Sequence, residues 1–303
     1  MLFFKRLKRD VPFVVLLSPA LVLMTVFSYL PMFAGIVAFK DFNYLDGFFG
    51  SPWAGWDNFK YLFQMDAYYI TRNTVLYNVA FIFLGLVVSV ALAIMLHELI
   101  SKRFAKLYQS VLFFPALISW VIVSYIVYAF LSIDKGIVNN ALTGWFGVEA
   151  VEWYSETVYW PYLIVFISIW KSAGYNAVIY LATIVSIDPE YYESAVLDGA
   201  SKWKQFQYIT LPMLTPVMII LTLLAIGKIF YADTGLFYQV PRNSGVLYPV
   251  TNVIDTYILN GLKGQGQIGM TAAAGLYQSF VGLVLVVVTN LIVRRRSKEN
   301  ALF

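Results

Sequence analysis

The stretch DPEYYESAVLDGASKWKQFQYITLPMLTP, residues 188–216, decides how this chain is read. It is polar and charged, yet it separates two strongly apolar segments. Asp188 suits a helix N-cap and Pro189 the first helical position. Glu190 falls in the first turn, where a negative charge meets the positive end of the helix dipole. Gly199 suits a helix end or a sharp turn, and Ser201 stands where it can cap a second short helix. Leu211-Pro212 then opens the next apolar run. The pattern predicts a helix-turn-helix finger projecting from a membrane domain.

Composition sets that domain. Of 303 residues, 60% are hydrophobic and only 13% are charged, against about 25% charged in soluble domains. Too little polar surface remains to clothe a soluble fold of this size, so an all-α, polytopic membrane protein is expected. With no cysteine and one histidine, a disulfide framework, a thiolate metal site and a cysteine nucleophile are excluded, and no metal site is expected. His97, beside Glu98 and ahead of Lys102 and Arg103, lacks the partners that catalysis or metal binding needs. It reads as an interfacial polar residue.

Six apolar runs fall at about 11–39, 73–96, 111–131, 158–187, 212–232 and 268–293, each near the length of about 20 residues that crosses a bilayer core. They are read as one transmembrane domain over 1–303, with Pro31 bending the outer part of the first span. Six spans place both termini on one side. Thirteen lysines and arginines lie at the termini and on the second and fourth loops, and six on the other three loops. The positive-inside bias therefore predicts that both ends and the finger are cytoplasmic. Basic residues gathered at span edges argue for topology rather than a nucleic-acid groove, so no nucleic-acid partner is expected. No phosphate-binding G-x-x-x-x-G-K-[ST] loop occurs, so any nucleotide energy must come from another chain.

Two lysines fall inside these runs. Lys171 sits mid-span in Trp170-Lys171-Ser172-Ala173-Gly174-Tyr175-Asn176, where a charge costs about 2.5–3.5 kcal/mol on insertion scales and so should face a cavity or a partner. Tyr175, four residues on, shares its helix face. Asn176 extends the polar stripe, and Trp170 offers a surface for stacking a sugar. Two readings stay open: a solute pathway on which Lys171 orients a hydroxylated or acidic solute, or a buried structural pair with an acid. Lys228, ahead of Tyr231 and Asp233, can snorkel, pair with Asp233, or line the outer mouth of the pathway. Tyr231, Phe237, Tyr238 and Tyr248 gather in one loop that suits a sugar or a docked protein.

Glu193-Ser194-Ala195, Asp198-Gly199-Ala200 and Leu211-Pro212, with Phe206 and Ile209 between them, closely resemble the cytoplasmic signature loop of ATP-binding-cassette (ABC) importer permeases. That consensus runs E-A-A, D-G-A, an apolar pair and L-P, and Ser194 here replaces the first alanine. Leu17-Ser18-Pro19-Ala20, Tyr29-Leu30-Pro31, Trp56-Asp57-Asn58-Phe59 and Phe113-Phe114-Pro115 resemble sugar-type permeases. GKIFYAD at 227–233 and GLFYQVP at 235–241 look like the subset serving oligosaccharides or polysaccharide fragments.

The resemblance implies a type I ABC importer permease fold with a cytoplasmic coupling helix that docks on an ATPase. Implied partners are a second homologous permease, two ATPase subunits, an extracytoplasmic solute-binding protein and a carbohydrate. ATP and Mg would sit on the ATPase subunits, with no cofactor on this chain. The implied place is the cytoplasmic (inner) membrane of a prokaryote. The alternatives are an ion-coupled secondary carrier, or a permease for a non-sugar solute. A carrier would need intramembrane acids, and these spans hold two lysines and almost no acids.

Overall fold

Backbone groups in lipid must find partners within their own segment, and apolar runs of this length do so as helices. The computed structural model describes residues 2–264 and 268–296, and among these only helices, turns and one isolated bridge, Lys40 to Trp53, occur. Lys298 of the closing basic cluster lies outside the described residues. Among the described residues five helices are long and apolar enough to cross a membrane, and a bent pair makes a sixth crossing if taken as one. The chain forms two compact units, residues up to 66 with 260–277, and 67–259 with the chain from 278 on.

In the first unit, α1 (Leu2–Met24) continues through a π turn at Thr25–Tyr29 into a 3-10 segment at Leu30–Phe39. Pro31 has no N–H to return to the preceding turn, so the ladder changes register there instead of running on as α-helix. Nearly every side chain from 11 to 34 is exposed, as suits a helix whose solvent is lipid. A shorter α2 (Asp57–Met65) is tied to the end of this segment by the Asn58 amide, which donates to the Ala38 and Lys40 carbonyls at 2.9 Å each.

The second unit opens with α3 (Ala67–His97). The expected third span, 111–131, is not one helix. It is α4 (Lys102–Leu117) followed by α5 (Trp120–Leu131), bent by 100° at residues 118–119. Pro115 removes a ladder donor in the last turn of α4, Ile118 and Ser119 go extended, and the Ser119 hydroxyl accepts the Ile122 N–H to start α5. After α6 (Ile137–Phe146) comes α7 (Trp160–Val185), the fourth apolar run.

Beyond α8 (Pro189–Leu197), the fifth apolar helix, α9 (Lys202–Ile226), also departs from expectation at both ends. Pro212 does not open it. The π turn at Phe206–Thr210 absorbs the donor that Pro212 lacks, so one helix runs from the finger into the span. At the far end it stops at Ile226, and Gly227 to Phe230 form turns, which leaves Lys228 past the helix rather than within it. The chain continues through α10 (Ile254–Lys263) and α11 (Ile268–Arg296).

Packing in this unit centres on α3 and α7. Val90 and Ala93 meet Ala177, Tyr180, Ile184 and, from α9, Leu214 in one buried cluster. A second joins Tyr77, Val123, Trp160, Ile164 and Phe237. Gly174 lets α7 touch α4: a β-carbon at 174 would overlap the Leu112 carbonyl. Both clusters hold the site residues of α7 at fixed height.

Candidate functional site

The finger is built from local devices. Asp188 Oδ1 accepts the Glu190 N–H at 3.0 Å, and Pro189 fills the first helical position of α8. At the other end Gly199 takes φ +73°, a conformation L side chains rarely adopt, and the Ala200 N–H closes on the Ala195 carbonyl at 2.8 Å. Ser201 then caps α9 through the Lys204 N–H. Glu193, Ser194, Asp198 and Gly199 are exposed, and Ala195 and Ala200 are half-buried. Leu211 and Pro212 sit within α9, half-buried and exposed respectively.

No residue of α8 is buried. Leu197 is 88% exposed and Val196 60%, with Trp203 beside them at 68%. A short helix that leaves its apolar side bare is shaped for a partner. Two contacts tie this helix back to the unit through Tyr192, and a third ties the start of α9. The Tyr192 and Thr210 hydroxyls bond at 2.9 Å, Lys202 meets Glu98 at 3.0 Å, and the His97 and Tyr192 rings lie 6.3 Å apart. Between finger and helix ends lies a cavity of about 630 Å³. His97 therefore packs beside the finger, a neighbour its place in the sequence does not announce.

A second cavity, about 670 Å³, opens among α3, α7 and the turns after α9. Six of the seven residues expected on a solute pathway line it together: Lys171, Tyr175, Asn176, Lys228, Tyr231 and Asp233. Trp170 does not. One residue before Lys171 on a helix, it points about 100° away. Asn78, Ser89 and Trp120 also line the cavity and carry no sequence signal of their own. The Ser89 hydroxyl is buried without a partner. Phe237 is buried in the core at 5.0 Å from the Tyr77 ring, so it offers no surface to a ligand.

Lys171 has partners that neither sequence reading named. Its ammonium donates to the carbonyls of Pro115 and Ala116 at 3.1 Å and of Ile118 at 2.5 Å. These carbonyls lie at the C-terminal end of α4, where the third span breaks; Pro115 also accepts the Ile118 N–H at 3.3 Å, and a cation there meets the negative end of the helix dipole. The same ammonium lies 5.1 Å from the Trp120 ring centroid. Trp120 donates its indole N–H to Asp233 Oδ2 at 2.5 Å, and Asp233 Oδ1 accepts the Gly235 N–H at 2.8 Å. Among the described residues no ion pair joins Lys228 to Asp233.

An all-helical, multi-pass membrane protein with a bare apolar finger at one end and a polar, aromatic cavity among its helices defines the class of a transport permease. The family model for binding-protein-dependent transport system inner membrane components matches residues 85–298. The chain is 31% identical over 295 residues to Protein LplB of Bacillus subtilis, covering 97% of this chain and 92% of that one. It is 29% identical over 286 residues to the polygalacturonan/rhamnogalacturonan transport system permease protein YteP of the same species, covering 94% and 88%. A solved bacterial ABC transporter involved in the import of the acidic polysaccharide alginate contains a chain that superposes with TM-score 0.88 at 32% identity, over 98% of this chain and 100% of that one. This chain belongs to the family of binding-protein-dependent transport system inner membrane components.

Proposed function

We propose that the chain is the permease subunit of an ATP-driven importer that moves an oligosaccharide or polysaccharide fragment across the cytoplasmic membrane by alternating access. It works with a second, homologous permease, two ATPase subunits that bind ATP and Mg, and an extracytoplasmic binding protein that delivers the solute. Both termini and the finger face the cytoplasm. The observation that carries this reading is the exposed apolar side of α8, held on a capped, Gly199-reversed finger that continues without interruption into α9. The relatives' carbohydrate names support the choice of solute.

In mechanism, ATP closes the ATPase pair, and the groove gripping Glu193 to Ala200 carries the finger with it. Because α9 runs on through the π turn, finger and span move together, and the permeases rock to expose the cavity to one side and then the other. ATP shifts this equilibrium only because the ATPase pair binds it unequally in the two states. Tyr175, Asn176 and Tyr231 offer hydroxyl, amide and ring surface to a sugar. Lys171, its donors engaged by carbonyls, keeps the broken span in place.

A chain without cysteine allows a clean test. Single cysteines at Glu193 and at Asp198, next to Gly199, in membranes holding the assembled complex, should crosslink to a nucleotide-hydrolysing subunit, and vesicle uptake of the oligosaccharide should require ATP. Uptake driven by an ion gradient without nucleotide would replace this reading with a secondary carrier. ATP-dependent uptake of a non-sugar solute alone would overturn the carbohydrate assignment.

A further inference from the structure

The fifth span ends at Ile226, and the chain beyond it has no helical ladder until Thr234. Its backbone groups must then find partners elsewhere. Between Phe230 and Asp233 those partners are side chains from four other helices. Gln278 of α11 donates to the Phe230 carbonyl at 2.6 Å, and Asn78 of α3 to the Tyr231 carbonyl at 3.2 Å. The Ala232 N–H donates to Asp255 Oδ2, on α10, at 2.7 Å. Asp233 itself accepts the Trp120 indole N–H from α5.

These partners fall into two layers. Asn78 and Trp120 line the cavity of about 670 Å³ together with Tyr231 and Asp233, whereas Asp255 and Gln278 do not. Gln278 is 4% exposed and Asp255 is half-buried. The two bond to each other, the Gln278 amide donating to the same Asp255 Oδ2 at 2.8 Å. Both N–H groups of that amide are thus spent, one on the turn and one on its neighbour. A pair set behind a cavity wall and bonded to the backbone of that wall fixes the wall rather than the solute.

We propose that Asp255 and Gln278 are positioning residues of the solute pathway, holding Phe230 and Ala232 so that Tyr231 and Asp233 stand against the cavity. The inference rests on the importer reading above and adds to it two residues that no solute contacts. Tyr231 is 43% exposed and lies in a stretch without secondary structure, so its direction depends on the groups held on either side of it. The turn also ends the span that moves with the finger. Without this clamp each stroke of α9 would displace Tyr231 as well.

Exchange of donor and acceptor gives the test. D255N keeps the side-chain volume but sets an amide N–H against the Gln278 amide, and Q278E sets two carboxylates against each other. D255N/Q278E restores the bond with donor and acceptor exchanged. Each is made in the cysteine-free chain carrying Y231C or, as a control, S168C, which lines the same cavity from α7. Labelling by a small charged methanethiosulfonate is followed in the assembled complex. D255N and Q278E should each speed labelling at Y231C about three- to tenfold, the population change that losing one hydrogen bond allows. S168C should not change, and the double variant should return most of the loss. With Tyr231 in place, KM for trigalacturonate should rise and recover in the same order, with Vmax little changed. Should D255N fail to assemble, Q278L, which drops the donors and keeps the bulk, serves the same comparison.

Equal acceleration at both cysteines would overturn the proposal, because the pair would then stabilise the fold and position nothing. So would unchanged labelling at Y231C, or a double variant no better than Q278E. A wild type without ATP-dependent uptake of any glycan would overturn the importer reading instead, and the labelling would still decide the clamp.

Discussion

The finger and the broken third span both interrupt an apolar helix, and they are stabilised in different ways. In the finger each unpaired backbone group finds its partner within five residues: Asp188 for Glu190, Ala195 for Ala200, Ser201 for Lys204. At the break, Ser119 caps α5 locally, but the carbonyls ending α4 are met by Lys171, more than fifty residues further on. A locally closed interruption can move as a body. A break closed at long range is welded to another helix. The finger is thus suited to transmit motion, and the break to hold a cavity wall still while α9 moves.

The most damaging change should be at the weld. Gly174→Val places a branched side chain against the Leu112 carbonyl, a backbone atom that cannot turn aside. Overpacking of this kind costs about 1–3 kcal/mol, and contact with backbone puts it at the upper end. Loss of monodisperse permease on size exclusion is expected. A folded, active Gly174→Val protein would mean that α4 and α7 are not rigidly joined, and the contrast between finger and break would fail.

Lys171→Met should come next. It removes the Lys171 donor from the Ala116 and Ile118 carbonyls and leaves Pro115 with only the Ile118 N–H, at about 1 kcal/mol beside an open cavity, and loosens the Trp120 to Asp233 bond that follows. Lys171→Arg keeps charge and donors and should recover most of the thermal stability. Transport and stability should fall together, for acidic and neutral solutes alike. If Lys171→Met stays fully stable and loses only acidic solutes, the ammonium serves the solute rather than the break.

The same contrast explains how much could be read before the fold was known. Asp188, Pro189, Gly199 and Ser201 act on residues next to them, so their helix, turn and caps were legible in order. Pro115 was visible too, but a proline in a span of 111–131 can bend a helix or break it, and the outcome depends on whether the freed carbonyls find a distant donor. Hydropathy shows the cost of Lys171 at mid-span and not which carbonyls it answers. The far end of α9 was misjudged because apolar residues continue past Gly227 into turns. The cavity residues on α7 were legible from spacing, whereas Asn78, Ser89 and Trp120 reach it only through packing.

Smaller effects are expected at the finger, where repair is local. Asp188→Ala removes one capping acceptor, about 1 kcal/mol for a typical N-cap. Amide exchange should speed up across Pro189–Leu197 and stay unchanged in α7. Asp188→Ser, which keeps an acceptor, should restore protection. Exchange that accelerates into α7 would show the finger to be part of the bundle core rather than a separate body.

The smallest effect is expected where finger and bundle are joined by charge. Lys202 and Glu98 meet at 3.0 Å with side chains 75% and 48% exposed, and pairs so open to water contribute about 0.2–1 kcal/mol, less as salt rises. Lys202→Gln should therefore leave melting temperature nearly unchanged. If the pair also limits how far the finger swings, its loss should raise ATP hydrolysis without raising uptake, and high salt should reproduce this in the wild type. Unchanged coupling in both would assign the tie to the Tyr192 to Thr210 hydroxyl bond, which salt does not weaken and which Tyr192→Phe removes.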